Sequence, residues 1–459
     1  MADILKICKS GKPGSLGLLL KIAIPLIITT SSASLMEFTD RMLLSWYSAD
    51  ALAACLPAGL ISFSIVAFFM GTCGYTSVFV ANYYGQKRYA NLSVSLWQGV
   101  LVGAVFGFII AALVPLGLFL INLSSHAPEV KLLEKQYFTI LTLFGGFAVI
   151  GNALAGFFSG QGKTGITMAV NIIGNIINIP LSYAMIFGKW GLPEMGIKGA
   201  AWSTVISGFI VILIFFAIIF NPKINKKFRI GRLFGFNKKA AIRLIKYGMP
   251  NGFGFAMDIF SFSVFAFFTG NIDKIALAAS NIVLTLQLIV FMPLMGLAVA
   301  TQILMGQYVG MKKPDLGVKT TMTALKTGTV YVLVINAAFL LFPHFFTGFF
   351  EGNVITQDMA LIQKQTVPLL QLLCLFIWGD LTYLCFGDAI RGAGDTKFHM
   401  QAMVFCSLLL ILGSWFIVGI LGKGIVAAWT WITLYSWLTG IFMGWRFFSG
   451  KWRNIDITK

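Results

Sequence analysis

Long apolar runs, without the alternation of a half-buried strand, recur along the whole chain. Each is long enough to cross the roughly 30 Å hydrocarbon layer of a bilayer as a helix. They fall near residues 17–46, 51–82, 92–122, 131–158, 164–188, 195–220, 245–270, 276–309, 318–347, 358–389, 397–419 and 424–448. Because the runs are continuous, a membrane β-barrel, whose strands alternate apolar and polar faces, is excluded. The pattern predicts an all-α membrane protein with twelve transmembrane helices.

Composition agrees: 58% of the 459 residues are hydrophobic and 11% charged, too few charges for a soluble surface of this length. The formal charge of +18 would suggest nucleic-acid binding in a soluble protein. Here the basic residues sit between the apolar runs, where they set orientation, and no nucleic-acid partner is expected. Lys87 and Arg88, Lys163, Lys312 and Lys313, and Arg391 and Lys397 follow even-numbered spans. The connection from span six to span seven and the first residues beyond it carry Lys223, Lys226, Lys227, Arg229, Arg232, Lys238, Lys239, Arg243 and Lys246, with no acid among them. Opposite loops are mixed, as in Glu129, Lys131, Glu134 and Lys135. The positive-inside rule then places both termini and the central connection in the cytoplasm, with the protein in the cell's inner (plasma) membrane. Lys6, Lys9 and Lys12 precede a first span that reads as permanent rather than as a cleavable signal. The basic connection is a topology anchor and linker on its simplest reading, and an anionic-lipid contact on another. Cys8, Cys55, Cys73, Cys374, Cys385 and Cys406 form no Cys-x-x-Cys pair, and five lie in or beside apolar segments, which suits reduced packing residues. His126, His344 and His399 are scattered, and no metal site can be read from them.

The two halves repeat. An offset of 225 takes Pro25 to Pro250, Ala51-Leu52-Ala53-Ala54 to Ala276-Leu277-Ala278-Ala279, Tyr83 to Tyr308, Gly85 to Gly310 and Lys87 to Lys312. Later, Gly160-Gln161-Gly162-Lys163-Thr164 resembles Gly392-Ala393-Gly394-Asp395-Thr396, and Ala200-Ala201-Trp202 echoes Ala427-Ala428-Trp429. Six spans per half means both halves enter the membrane in the same sense, related by an axis along its normal. The expected organisation is an N-terminal lobe (1–220), a basic cytoplasmic linker (221–244) and a C-terminal lobe (245–459). These are two pseudo-symmetric six-helix lobes around a central cleft, which is transporter architecture.

An ionised Asp at mid-membrane costs at least ~2.5–3.5 kcal/mol, so each acid within a span needs a reason. Asp258 stands in span seven after Pro250; Asp380 lies well inside span ten, and Asp388 nearer its cytoplasmic end. Glu37 and Asp40 sit three apart in span one, nearer its outer end. For Asp258 and Asp380 one reading is a proton or cation site, with Na+ as the metal ion it could take. The other is a buried carboxyl bonded to helix ends, or paired with Arg391 or Lys246. Asp388 is one turn from Arg391, and an ordinary ion pair would explain both. Asn171, Asn175, Asn178 and Ser182 form one helical stripe, either helix-to-helix hydrogen bonds or the polar wall of a cavity. Phe253, Phe255, Met257 and Phe260 could line a pocket for aromatic cations, or simply pack. Gly160-Gln161-Gly162-Lys163-Thr164 is not a phosphate loop: its pattern needs a glycine where Phe157 stands, and no strand precedes it. Energy therefore comes from an ion gradient or from the substrate, with no cofactor beyond the coupling ion.

The chain resembles the multidrug and toxic compound extrusion (MATE) family, most closely its NorM-type branch. The resemblance rests on the Pro25 to Asp40 stretch, Tyr84-Gly85-Gln86-Lys87-Arg88, Asn178-Ile179-Pro180-Leu181 with Gly188, and Gly199-Ala200-Ala201-Trp202-Ser203-Thr204. It rests equally on Gly248-Met249-Pro250 with Asp258, Gly306-Gln307-Tyr308-Val309-Gly310 and Ile390-Arg391-Gly392. It implies a secondary antiporter, not an enzyme, exporting organic and mainly cationic compounds against H+ or Na+ by alternating access, as a monomer in the bilayer. In the NorM-type branch the cation-binding acids of helices seven and ten fall on Asp258 and Asp380; the family usually has Glu at the first. In the DinF-type branch an N-lobe site uses Asp in helix one and Asn then Asp in helix five. Asp40 and Asn178 match, but Ser182 replaces the second acid, which favours the C-lobe site. Asp40 is kept as a third cation candidate, and Asn171, Asn175, Asn178, Ser182, Thr204, Phe253, Met257 and Asp388 as the cavity wall. The rival reading is a lipid-linked sugar flippase of the same superfamily, for which cationic cavity residues would be expected. A membrane enzyme would need a nucleophile beside a His, or a His/Asp metal pair, and neither is visible.

Overall fold

A computed structural model of the protein describes residues 12–124, 126–270, 272–348 and 357–458. Lys6, Cys8 and Lys9 lie outside the described residues. Among those described, eleven helices are long and apolar enough to cross a membrane, and a bent pair makes a twelfth span. In chain order these are α1 (Leu16–Tyr47), α2 (Ala49–Gly85), α3 (Tyr89–Leu123), α4 (Pro128–Leu143 with Gly146–Gly160, bent by 41°), α5 (Thr164–Phe187) and α6 (Ile197–Ile219). There follow α7 (Lys238–Gly270), α8 (Lys274–Gly310), α9 (Pro314–Leu341), α10 (Gln357–Gly392), α11 (Thr396–Ile420, its last turn and a half π-helical) and α12 (Ile425–Phe448). Twelve spans in an all-helical chain is the expected fold class.

The repeat extends to the backbone and its caps. Ser48, in extended conformation, accepts from the amides of Asp50 and Ala51 and so starts α2. At the equivalent position Asp273 accepts from the Ala276 amide at 2.6 Å and starts α8. At the far ends of these helices Lys87 and Lys312 both adopt φ +59°. The next amide folds back in each: Arg88 N to the Tyr83 carbonyl at 3.0 Å, and Lys313 N to the Tyr308 carbonyl at 2.9 Å. This is a left-handed helix stop that usually carries glycine. A side chain there costs about 1–2 kcal/mol. Lys87→Gly and Lys312→Gly are each expected to raise stability by up to ~1 kcal/mol, read as a higher unfolding temperature in detergent.

By packing, the chain groups into two compact units whose borders fall inside α1 and α7. Residues 28–256 with 457–459 form one; residues up to 27 with 257–456 form the other. The first is centred on Leu43, Leu44, Ala54, Ala58, Phe138, Ile186 and Ala200, all nearly inaccessible. The second has a core of Met305, Phe386, Ile390, Met403, Met443 and Phe447.

The basic connection belongs to the first unit and is ordered. It forms the short helix Pro222–Phe228 and a 3-10 turn at Gly231–Leu233. Three residues of α3 hold its backbone: Ser93 Oγ donates to the Phe228 carbonyl at 2.7 Å, Trp97 Nε1 to Ile230 at 3.0 Å, and Gln98 Nε2 to Gly235 at 2.9 Å. Gln98 Oε1 in turn accepts from the Asn237 amide at 3.0 Å. Phe228 and Ile230 are buried against this face.

Candidate cation sites

In the unit built from residues 257–456, α12 serves both intramembrane acids through two consecutive residues. Tyr435 Oη donates to Asp258 Oδ1 at 3.1 Å, and Ser436 Oγ stands 3.5 Å from Asp380 Oδ1. Gln287 of α8 borders the same Asp380 carboxyl, and Asp258 is its nearest acidic neighbour in the site. Both acids are half-buried. Neither forms an ion pair among the described residues. Their partners are side-chain hydroxyls and an amide. The Tyr435 ring is held edge-on by Phe262, at 6.3 Å between centroids.

The approach of α12 to α10 depends on glycine. A Cβ on Gly379 would lie 2.3 Å from Ser436 Oγ, and one on Gly440 would lie 2.1 Å from Thr382 Oγ1. Gly379→Ala is therefore expected to push Ser436 away from Asp380. A loss of ~1–3 kcal/mol in unfolding free energy, read as a lower unfolding temperature in detergent, should result.

Asp388 is 2% exposed, and Arg391 reaches its Oδ1 at 2.5 Å, three residues along the same helix. Farther along, Arg446 Nε meets Asp395 Oδ2 at 2.6 Å while its guanidinium lies over Phe398.

In the other unit, Asp40 is 5% exposed, so a position that its place in the sequence left open is buried. Glu37 points elsewhere, to an exposed pair with Arg41 at 3.6 Å. Asp40 Oδ1 accepts from Ser182 Oγ at 2.7 Å, Ser182 lies 2.6 Å from Ser203 Oγ, and Thr204 borders the same carboxyl. The α5 stripe divides by partner. Asn171 Nδ2 donates within its own helix to Thr167, Asn175 Nδ2 to Ser32 of α1 at 3.1 Å, and Asn178 Nδ2 to Ser207 of α6 at 3.4 Å. Asn178 Oδ1 is buried without a hydrogen-bond partner among the described residues. Three of the four stripe residues are thus helix-to-helix ties.

The aromatic candidates are dispersed. Phe253 is 42% and Phe260 53% exposed, Phe255 packs edge-on against Phe63 at 6.5 Å, and the Met257 carbonyl accepts from Ser407 at 3.4 Å. Tyr435, Ser436, Gln287, Phe262 and Ser207 went unnoticed in the sequence, and Ser203 was named only within a family stretch. The available signal for the α12 pair was weak: Thr433, Tyr435, Ser436 and Thr439 are polar within an apolar span.

Both groupings offer oxygen donors only, from carboxyl, hydroxyl and amide groups, which suits a proton or a hard cation such as Na+ rather than a soft metal. Among the described residues no three His, Cys, Asp or Glu gather as a metal site.

The MatE family model matches residues 25–184 and 250–416. The chain is 27% identical, over 95% of its length and 93% of the relative's, to the probable multidrug resistance protein NorM of Thermotoga maritima. It is 26% identical, over 84% of its length and 80% of the relative's, to the multidrug resistance protein PmpM of Pseudomonas aeruginosa. Among solved structures, an outward-facing multidrug resistance MATE transporter of the MOP superfamily superposes with a TM-score of 0.84 at 18% identity, covering 98% of this chain and 99% of that one. A MOP superfamily transporter from Pyrococcus furiosus, whose reversed pocket polarity was taken to suggest a different function, gives 0.83 at 19%, covering 99% and 98%. The fold is thus shared by transporters with differing pockets, and with the family match across both halves, this chain belongs to the MatE family of membrane transporters.

Proposed function

We propose that the protein is a multidrug exporter that expels organic, mainly cationic, compounds in exchange for H+ or Na+ by alternating access, from an inner membrane with both termini in the cytoplasm. The observation that carries this reading is the pair Asp258 and Asp380, two acids within spans whose partners are hydroxyls and an amide rather than a fixed cation. Two carboxyl groups so placed favour an arriving positive charge, whether proton, Na+ or substrate. Occupancy by one excludes the others, and mutual exclusion is enough for antiport. Relatives named for multidrug resistance support drug-like substrates. Acids rather than fixed cations in this cluster speak against a lipid-linked sugar as cargo. The Asp40 group, with Asn178, Ser182, Ser203 and Thr204, is assigned as a second, weaker cation position in the other unit.

The test is ethidium accumulation in efflux-deficient bacteria with and without the protein. Expression should lower accumulation. Reversal by an uncoupler assigns H+ as the coupling ion, and dependence on external Na+ with indifference to the uncoupler assigns Na+. Equal accumulation with protein present in the membrane, repeated across several cationic dyes, would overturn the drug-export reading.

A further inference from the structure

The α6–α7 connection does more than a topology signal requires. A signal read during insertion needs positive charge alone. This segment also has a fixed backbone, through the Ser93, Trp97 and Gln98 bonds, and displays two aromatic side chains. Phe234 and Phe236 are 63% and 68% exposed, while Phe228 and Ile230, only a few residues before, are buried. Around them, seven exposed Lys and Arg side chains lie between residues 223 and 239. No acid occurs from residue 195 to residue 257, and none of the seven has an ion pair among the described residues.

From this we infer that the connection is a binding surface for anionic phospholipid headgroups: Arg232, Lys238 and Lys239 take the phosphates, and Phe234 and Phe236 enter the interfacial layer. The segment joins the end of one span to the start of another, which holds it at headgroup depth. Basic residues attract an anionic leaflet, and aromatic rings settle where apolar and wet layers meet. A neighbouring feature agrees. Lys163 and Lys227 flank the Phe228 ring at 5.7 and 5.4 Å. Burial and then Lys227 pull the Lys163 ammonium below its ordinary value. Two like charges held together without an acid gain from a nearby anion. The inference does not depend on the transport reading, since none of these residues belongs to the cation sites.

The test uses the full chain purified in a neutral detergent and titrated with headgroup-labelled phosphatidylglycerol or phosphatidylcholine. Saturable binding of phosphatidylglycerol, and much weaker binding of phosphatidylcholine, is expected. One basic residue near an anionic surface is worth about fivefold, so the triple variant R232Q/K238Q/K239Q should weaken binding by roughly a hundredfold. F234S/F236S should weaken it less, and the charge-keeping R232K/K238R/K239R should preserve it. Melting temperatures without lipid show whether each variant folds. Should the triple variant misfold, the charge-keeping and aromatic variants decide. Three results would overturn the inference: unchanged affinity in the triple variant, equal binding of phosphatidylcholine, or full displacement of lipid by millimolar inorganic phosphate. The last would indicate a small-anion site instead of a lipid surface.

Discussion

Asp380→Asn is expected to return ethidium accumulation to that of cells lacking the protein, while the variant still folds and inserts. The amide has the shape of the acid and keeps an oxygen for Ser436 and Gln287, so little of the packing changes. What disappears is the group that can carry a negative charge and exchange a proton or cation. Asp258→Asn should act alike, because the side chain it leaves can still accept from Tyr435. Asp315→Asn, at an 83% exposed acid paired with Arg453, serves as the control and should export normally. Membrane levels and melting temperature in detergent separate lost function from lost fold. Full export by either site variant at wild-type level would remove that acid from the coupling mechanism.

The second large effect concerns stability. Arg391→Met should cost about 3–5 kcal/mol of unfolding free energy, because it strands the Asp388 carboxyl, which is 2% exposed. Removing both partners as Asp388→Leu with Arg391→Met should recover most of the loss, since a buried pair returns little beyond its own desolvation cost. Thermal or denaturant unfolding of the four proteins of this cycle gives the coupling directly. Equal destabilisation in the single and double variants would mean that Arg391 acts through its other contacts and not through Asp388.

The spans were legible because lipid demands long apolar helices, and length and hydropathy are properties of the sequence itself. Their ends were less so. The α7 run reads from about 245, yet the helix begins at Lys238, since Lys238 to Lys246 is helical but too polar to register as apolar. The ninth run reads to 347, whereas α9 stops at Leu341, just before Pro343, which disfavours helical geometry in the residue before it. The acids stood out for the same reason that the spans did: a charge in an apolar run is conspicuous. Their partners did not. Tyr435 and Ser436 are ordinary residues until α12 is laid against α7 and α10, and the glycines that permit this approach carry no label in one dimension. Asp40 was visible, but not its burial or its bond to Ser182, which itself meets Ser203, on two other helices.

Four of the bonds that fix the α6–α7 connection are of one kind: side chains of α3 address its main-chain groups. Peptide groups are the same whatever side chain they carry. Much of this segment's path is therefore written in Ser93, Trp97 and Gln98, more than a hundred residues earlier. The rest is held by its own Asn225 and Asn237, which accept from the Gly231 and Ala240 amides, and by the buried Phe228 and Ile230. Substitutions of its exposed Lys and Arg side chains should leave its course intact, whereas inserting or deleting a residue between 228 and 237 would shift the Phe228, Ile230 and Gly235 carbonyls relative to their α3 partners. For anyone grafting a tag or a reporter into this loop, the spacing from Phe228 to Asn237 is the first constraint.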